Sequence, residues 1–432
     1  MRVLFISGEL IAGDIAYRLK QEGCDVKLFI EDKSRKDCFD GMVKKTNDWQ
    51  KELKWVGKKG LIIFDDVGYG KIQDYLRKDG YKVMGGCEIG DKMERDREFG
   101  QKIFKSLDIN TLETFNFQDI NIAINFVKKH RCKWVIKQNG HISALNYIGK
   151  SDDANDVLST LKTYEKYLSK NVSISLQRKV EGVEIGIARY FNGFDWIGPI
   201  EFNIEHKAFM NHDIGPSTAE MGTVMWYNND NKNKLFQETL EKFKPLLQKI
   251  NFRGDIDINF IINGNKVYPL EITSRLGSPS THLQTEIHSS GWKDFFYAVA
   301  NGDKYNLNYR RGYGVVVSIA IPPFPYKGIS SEYYLKGTNI LFKDKLTSGE
   351  WKKIHFEEVS LSKSKNTSNY YISGANGYIL YVTGFGKSIT SARNDAYSLV
   401  DKIIIPKMMF RTDIGLKFME RDKKLLKKWG WI

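Results

Sequence analysis

His212-Asp213-Ile214-Gly215-Pro216-Ser217-Thr218-Ala219-Glu220-Met221-Gly222 is a polar stretch near the middle of the chain, broken by glycine and proline. Gly215-Pro216 interrupts regular structure, and Ser217, Thr218 and Glu220 supply donors and acceptors on a turning backbone. From these residues alone the stretch is a loop that either holds a polar ligand or simply turns.

The surrounding chain sets bounds on what that loop can serve. Its 432 residues predict about three domains of roughly 100–200 residues each. No apolar run approaches the ~20 residues needed to span a bilayer, so no membrane partner is expected. Met1–Gly8 has too short an apolar run for a signal peptide. The four cysteines, Cys24, Cys38, Cys87 and Cys132, lack C-x-x-C spacing. That pattern predicts reduced thiols in a cytoplasm rather than a structural zinc site. The net charge of +14 reads as a lysine-rich solvated surface or, more sharply, as attraction to phosphorylated substrates or nucleic acid. The basic residues are spread out, with a cluster at Arg421, Lys423, Lys424, Lys427 and Lys428, and no zinc-finger, homeodomain or RNP-type motif accompanies them.

The N-terminal hundred residues alternate between strand and helix patterns. Val3–Ser7 ends at Gly8, a helical pattern follows through Leu19, and Val26–Ile30, Leu61–Phe64 and Tyr81–Met84 are further strands. This predicts a small doubly wound domain over residues 1–95. Ligands in such sheets sit beyond the carboxyl ends of the strands, which singles out Gly8-Glu9, Asp65-Asp66 and Gly85-Gly86. A helix is expected from Asp96 to Leu107, then a strand at Lys133–Lys137, a helix at Asp153–Leu168, and strands at Ser173–Gln177 and Glu184–Phe191. Leu235–Ile250 reads as a helix broken or kinked at Pro245. From about residue 311 the pattern is mostly β, closing with a helix at Ser391–Ile403. The expected domains are therefore 1–95, 96–310 with a flap at about 118–182, and 311–432.

Asp255–Ile262 and Lys266–Ile272 flank Asn263-Gly264, a strong hairpin signal. Alternate residues of a strand share a face, so Asp255, Asp257 and Asn259 line one side, and Glu271 and Thr273 one side of the return strand. If the two sides coincide, oxygen ligands converge as a magnesium–nucleotide site requires; otherwise this is a polar sheet face. None of the seven histidines forms an H-E-x-x-H motif, and His206, His212, His282 and His288 are expected as polar loop or surface residues. Neither G-x-S-x-G nor G-x-x-x-x-G-K-[ST] is present.

Taken together, these segments resemble the phosphoribosylamine–glycine ligase family of the ATP-grasp superfamily. The 212–222 stretch is similar to its G-D-x-G-P-N-T-G-G-M-G loop, and His206-Lys207 to its D-H-K segment. Leu270-Glu271-Ile272-Thr273-Ser274-Arg275-Leu276-Gly277 resembles L-E-[YF]-N-x-R-F-G, with Thr273 where the family has a metal-binding asparagine. Lys133–Lys137 looks like the strand P-x-V-[IV]-K. Met93–Phe99 resembles L-E-G-S-K-x-F, with Arg97 for the lysine. Gln177–Glu184, which includes Lys179, resembles the adenine-binding stretch E-E-[FY]-L-x-G-x-E. Two departures stand out: Gly140–Asn146 has one glycine where the family has G-x-A-x-G-K-G, and the first loop at Ser7–Asp14 lacks the Arg-Glu-His of G-x-G-G-R-E-H-A.

The resemblance implies an α/β ATP-grasp fold with an N-terminal doubly wound domain, a mobile flap and a mostly β C-terminal domain. It implies an ATP- and Mg²⁺-dependent (or Mn²⁺-dependent) enzyme of purine biosynthesis, monomeric or homodimeric. This enzyme joins a small carboxylate such as glycine to a phosphorylated or nucleotide-like amine through an acyl phosphate. Arg275, Glu271 and Lys207 would be catalytic. Arg97, Lys137, Lys179 and Glu184 would bind ATP, while Glu271, Asp257, Asn259 and Thr273 would bind metal. Gly8, Asp213, Gly215, Pro216, Ser217, Thr218 and Met221 would bind substrate. Two rivals stay open: a ligase for another amine, such as a nucleotide or modified nucleobase, and a degenerate homologue that binds nucleotide without turnover.

Overall fold

The apolar run Val3–Ile6 has no polar face, so a strand built from it must be covered on both sides. In the computed structural model, which describes residues 1–137, 146–167, 173–326, 335–363 and 368–432, it is the centre of a parallel five-stranded sheet. The order is Lys44–Lys45, Asp25–Ile30, Arg2–Ser7, Leu61–Phe64, Lys82–Met84. Arg2 pairs with Asp25 on one side and Val3 with Leu61 on the other. Leu4, Ile6, Ile62, Phe64 and Val83 pack with Trp49, Val56 and Leu76. Each such side chain contributes about 1.5–3 kcal/mol on full burial. The described chain forms two compact units, one of Met1–Asp91, Ile185–Ile258 and Thr273–Ile432, the other of Lys92–Glu184 and Asn259–Ile272.

Beyond the parallel sheet, the first unit carries an antiparallel sheet. Its order is Arg253–Asn263, Val183–Asn192, Trp196–Glu205, Gly222–Asn228, Tyr313–Ala320, Tyr378–Gly386, Ile354–Phe356. Residues beyond 311 thus extend the same sheet, with Thr223 opposite Val316 and Val316 opposite Thr383. Helix Ile389–Val400 lies so close to strand Tyr378–Gly386 that a Cβ on Gly384 would stand 2.4 Å from Ala392 O. Only glycine permits that approach.

The second unit holds a four-stranded sheet ordered Thr114–Phe117, Ile174–Arg178, Trp134–Lys137, Tyr147–Ile148. Helix Ile120–Lys129 starts at Asp119, whose carboxylate accepts the Asn121 N–H at 2.7 Å. Its Ile120, Ala123, Ile124 and Val127 recur at helical spacing and pack with Val157, Leu158 and Leu161 of helix Asn155–Tyr167. Asp96 caps helix Arg97–Ser106 by accepting the Phe99 N–H at 3.0 Å. The hairpin also falls in this unit beyond Ile258, turning at Asn263-Gly264 into strand Lys266–Thr273.

Two local expectations are corrected. The 212–222 stretch is not simply a loop: after the turn Asn211–Asp213, Ile214–Ser217 pairs with Ala208–Met210 in a two-stranded ribbon. Pro216 is tolerated there because an edge strand has no inner ladder to interrupt. The helix expected over Leu235–Ile250 is three pieces, Lys234–Glu238, Leu240–Phe243 and Lys244–Lys249. Its break falls at Thr239 (φ −129°, ψ −90°), and Pro245 sits in the first turn of the last piece, where its missing N–H costs little. A further helix, Glu88–Arg95, precedes Asp96. All four cysteines are free; Cys24, Cys38 and Cys87 are buried and Cys132 is partly exposed. No described helix is long and apolar enough to cross a membrane.

Candidate active site

Strand period brings the oxygens of Arg253–Asn263 to one face, and Asp255, Asp257 and Asn259 are all buried. In the first unit, Asp255 and Asp257 meet Glu201 and Asn203 of strand Trp196–Glu205 and Gln284 of helix Ser280–Ile287. Asn203 Nδ2 donates to Asp257 Oδ2 at 2.8 Å, and Gln284 Nε2 donates to Glu201 Oε2 at 2.7 Å. Tyr190 in turn donates to Gln284 Oε1 at 2.7 Å. Burial pushes the Asp255 carboxyl up to about 7. Burial, then the Glu205 charge, pushes Asp257 up to about 8. Glu201 is raised by burial and by Asp255. Asp255 Oδ1 and Asp257 Oδ1 accept no hydrogen bond among the described residues. A buried group of acids with spare oxygens is short of positive charge, which suits a divalent cation. Glu201, Asn203 and Gln284 were not singled out from sequence. The alternation Glu201-Phe202-Asn203-Ile204-Glu205 is the signal that could have found the first two.

In the second unit, Asn259 Nδ2 lies 3.4 Å from Glu271 Oε1, so the oxygen-bearing faces of the two hairpin strands coincide there. Arg97 stands near enough that burial depresses its guanidinium while the Glu271 charge opposes that depression. Lys137 ends strand Trp134–Lys137, Glu184 is exposed, and Lys179 Nζ donates to Gly149 O at 3.3 Å. The second unit thus contains Arg97, Lys137, Lys179, Glu184, Asn259 and Glu271; Asp257, Thr273, Arg275 and Lys207 belong to the first. Gly140–Leu145, the weak match to a phosphate loop, lies outside the described residues.

The ribbon at 208–217 is pinned from the far end of the chain. Asp213 accepts from Arg411 Nη1 and Lys417 Nζ, both at 3.0 Å. The Thr218 N–H and hydroxyl both donate to Lys207 O, at 2.7 and 2.8 Å, and Lys207 Nζ pairs with Glu205 at 3.0 Å. Gly215 and Ser217 are exposed, Pro216 and Thr218 half-buried. Met221 does not present its side chain to a ligand. That side chain is buried with Ala320 and Phe324, because the chain re-enters the sheet at Gly222. Gly8 follows strand Arg2–Ser7, and its carbonyl accepts the Asp32 N–H at 3.0 Å.

Of the histidines expected at the surface, His212 is exposed, but His206 and His282 are buried and His288 is partly so. His206 Nε2 accepts the Gly415 N–H at 3.1 Å, which leaves Nδ1 to donate to Gly222 O at 3.1 Å. Burial, then the Arg411 charge, lowers its pKa to about 4, so it is a neutral structural pin. His282 stacks on Tyr381 and, with Asp14 and His355, brings ligand-type atoms within 4.8 Å of one another. Arg18 pairs with Asp14 there at 2.9 Å and already supplies a cation.

Residues 95–281 match the model for the ATP-grasp (A) domain of phosphoribosylglycinamide synthetase. Over that segment the chain is similar to this family. Of the residues given catalytic, ATP-, metal- or substrate-binding roles above, all but Gly8 fall within the match, whereas the strand-end candidates Glu9, Asp65-Asp66 and Gly85-Gly86 lie before it. The phosphoribosylamine–glycine ligase of Fusobacterium nucleatum is 23% identical over 443 aligned positions, covering 97% of this chain and 99% of the relative. That of Clostridium acetobutylicum is 24% identical over 355, covering 80% and 81%. A solved phosphoribosylamine–glycine ligase from Thermotoga maritima superposes with a TM-score of 0.70 at 20% identity, covering 96% of this chain and all of the other. A biotin carboxylase from Campylobacter jejuni superposes with a TM-score of 0.62 at 11% identity over 99% of this chain and 96% of the other. The fold is therefore the ATP-grasp fold, with the doubly wound N-terminal sheet expected from sequence.

Proposed function

We propose that this protein is an ATP-dependent carboxylate–amine ligase of the phosphoribosylamine–glycine ligase type, acting in purine biosynthesis. ATP phosphorylates the carboxylate of glycine or a similar small acid, a phosphorylated or nucleotide-like amine attacks the acyl carbon, and phosphate leaves. The observation that carries this reading is the shared oxygen face of the hairpin within the segment that matches the family. Glu271 and Asn259 would hold Mg²⁺, with Asp257 and Thr273 the next same-face positions along the two strands. The metal, when bound, neutralises phosphate charge. Arg97 and Lys137 supply cations for phosphate oxygens, Glu184 and Lys179 serve the nucleoside side, and Lys207 adds a cation beside the 212–222 ribbon. Asp213, Gly215, Pro216, Ser217 and Thr218 offer that ribbon's polar edge to the amine. The segment from about 118 to 182 serves as a flap that shields the acyl phosphate from water. An ATP-hydrolysis screen with Mg²⁺, glycine and a panel of amines tests the reading; ATP turnover indifferent to every acid and amine would refute it. A different amine is the second reading, favoured by the first loop, which lacks the family's Arg-Glu-His.

Arg275 separates the carboxylate role from the nucleotide role. A guanidinium offers a planar fork that a lysine lacks. Arg275→Lys is expected to retain nucleotide binding by calorimetry and to lose ligation by at least about tenfold, or roughly 1.4 kcal/mol of transition-state stabilisation. Loss of nucleotide binding as well would move Arg275 to the ATP side.

A further inference from the structure

Strand Val359–Lys363 pairs with Ser368–Ile372, which sets Tyr370 opposite Leu361. Beside this hairpin, among the described residues of the first unit, lies a cavity of about 380 Å³. Its walls carry Tyr17, Arg18 and Gln21 of helix Gly13–Gln21, with Trp351, Phe356 and Tyr370. Positions 17, 18 and 21 share a helix face because residues three and four apart are neighbours. Phe356 stacks on Tyr370 with ring centroids 4.4 Å apart, and Trp351 meets Tyr370 at 5.3 Å. Tyr17 stands edge-on to Phe356 at 6.4 Å, and its hydroxyl lies 3.5 Å from that of Tyr370. Phe356 is buried, whereas Tyr17, Trp351 and Tyr370 are half-buried and Gln21 is exposed. Arg18 Nε donates to Asp14 Oδ2 at 2.9 Å and its Nη2 to Ile354 O, which leaves Nη1 for a ligand.

We propose that this cavity binds a purine nucleoside or nucleotide by its base, held between the aromatic wall and Arg18. The site stands independently of the ligase reading. Its residues all belong to the first unit, whereas Arg97, Lys137, Lys179 and Glu184 belong to the second. The volume falls within the ~300–1,000 Å³ of small-molecule sites. Bases stack on aromatic rings and guanidinium planes, and their edges carry ring nitrogens and carbonyls that accept hydrogen bonds. Arg18 Nη1, the Gln21 amide and the tyrosine hydroxyls meet such an edge with donors. Burial, then the Tyr17 hydroxyl, holds the Tyr370 phenol above its ordinary range, so it stays a donor at neutral pH. A two-ring base covers more of Tyr370 and Trp351 than a single ring does. The same walls disfavour two other occupants. A quaternary ammonium suits an aromatic cage, but Arg18 repels it and no carboxylate lines the cavity among the described residues. An alkyl chain would cover the donors without pairing them, a cost at every polar group so buried.

Tryptophan fluorescence and calorimetry on the full chain test this with adenosine 5′-monophosphate, adenosine and ribose 5-phosphate. The monophosphate is expected to bind saturably below about 1 mM and to quench part of the emission. Trp351→Phe should remove that quenching, because Trp351 is the indole at the cavity. Tyr370→Leu keeps apolar bulk but removes a stacking face, and is expected to weaken binding at least about tenfold. Gln21→Glu, at an exposed position where the fold has little stake, replaces a donor with a charged acceptor and is expected to do the same. Adenosine binding as tightly as the monophosphate makes the nucleoside the ligand; weaker binding adds the phosphate to what is recognised. Unchanged affinity in both Tyr370→Leu and Gln21→Glu, or quenching unaltered in Trp351→Phe, puts the nucleotide elsewhere on the chain and overturns the proposal. An equal response to ribose 5-phosphate, or no saturable binding, also overturns it. Self-association lost in Tyr370→Leu and indifferent to nucleotide gives the aromatic face to a second copy and overturns it as well. Each of these leaves the ligase reading standing, and failure of the ATP-hydrolysis screen leaves this site standing.

Discussion

Glu271→Gln is expected to abolish measurable ligation without lowering the melting temperature. The amide keeps the size and the contact with Asn259 but removes the negative charge. A metal ion on transferring phosphoryl groups is worth several kcal/mol, and each ~1.4 kcal/mol is tenfold in rate. Glu271 is exposed on its strand, so the fold has little stake in its charge. Steady-state turnover and thermal melting of the same preparation separate the two roles. Turnover within about threefold of the parent, which is under 1 kcal/mol, removes Glu271 from the metal site. A lower melting temperature with intact turnover makes it structural.

Asp14→Ala is expected to be the most destabilising single change named here. Asp14 is buried; its Oδ2 accepts from Arg18 Nε and meets His355 Nδ1, both at 2.9 Å, and its Oδ1 accepts the Phe356 N–H at 3.2 Å. Burial alone would raise its carboxyl, but Arg18 and then His355 outweigh it and hold it well below the ordinary 3.8. Truncation strands the Arg18 guanidinium, and breaking such a pair costs about 3–5 kcal/mol. Urea unfolding at neutral pH measures the loss. Because the folded pKa is depressed, the carboxylate's contribution is fully present above 3.8 and is lost as pH falls further. The gap between variant and parent should therefore narrow in acid. A cost under about 1 kcal/mol would place this pair among the surface ion pairs in energetic terms.

The sequence made some of this structure legible and not the rest, for identifiable reasons. The hairpin was readable because Asn263-Gly264 fixes a turn, and strand period then fixes which residues share a face. The parallel sheet was readable because continuous apolar runs ended at glycines or paired aspartates. Thr239 could not be read as the break in its helix, since its hydroxyl bonds back to Leu235 O and nothing local forbids continuation. Burial of His206 depends on Gly415, 209 residues away. Glu201 and Asn203 carry the same alternation as Asp255 and Asp257. The sequence does not mark them out because their partners lie on other strands and on helix Ser280–Ile287, a juxtaposition only tertiary structure provides.

The distribution of thiols has a practical corollary. Cys38 and Cys87 are both pushed up to about 12, chiefly by burial, and so hold almost no thiolate at neutral pH. Cys24 is buried as well, which leaves Cys132 as the partly exposed sulfur. It lies two residues before strand Trp134–Lys137. The unaltered chain thus carries a near-single attachment point for a maleimide fluorophore on its second unit. Optical signals from that unit can be followed without first removing or adding a cysteine.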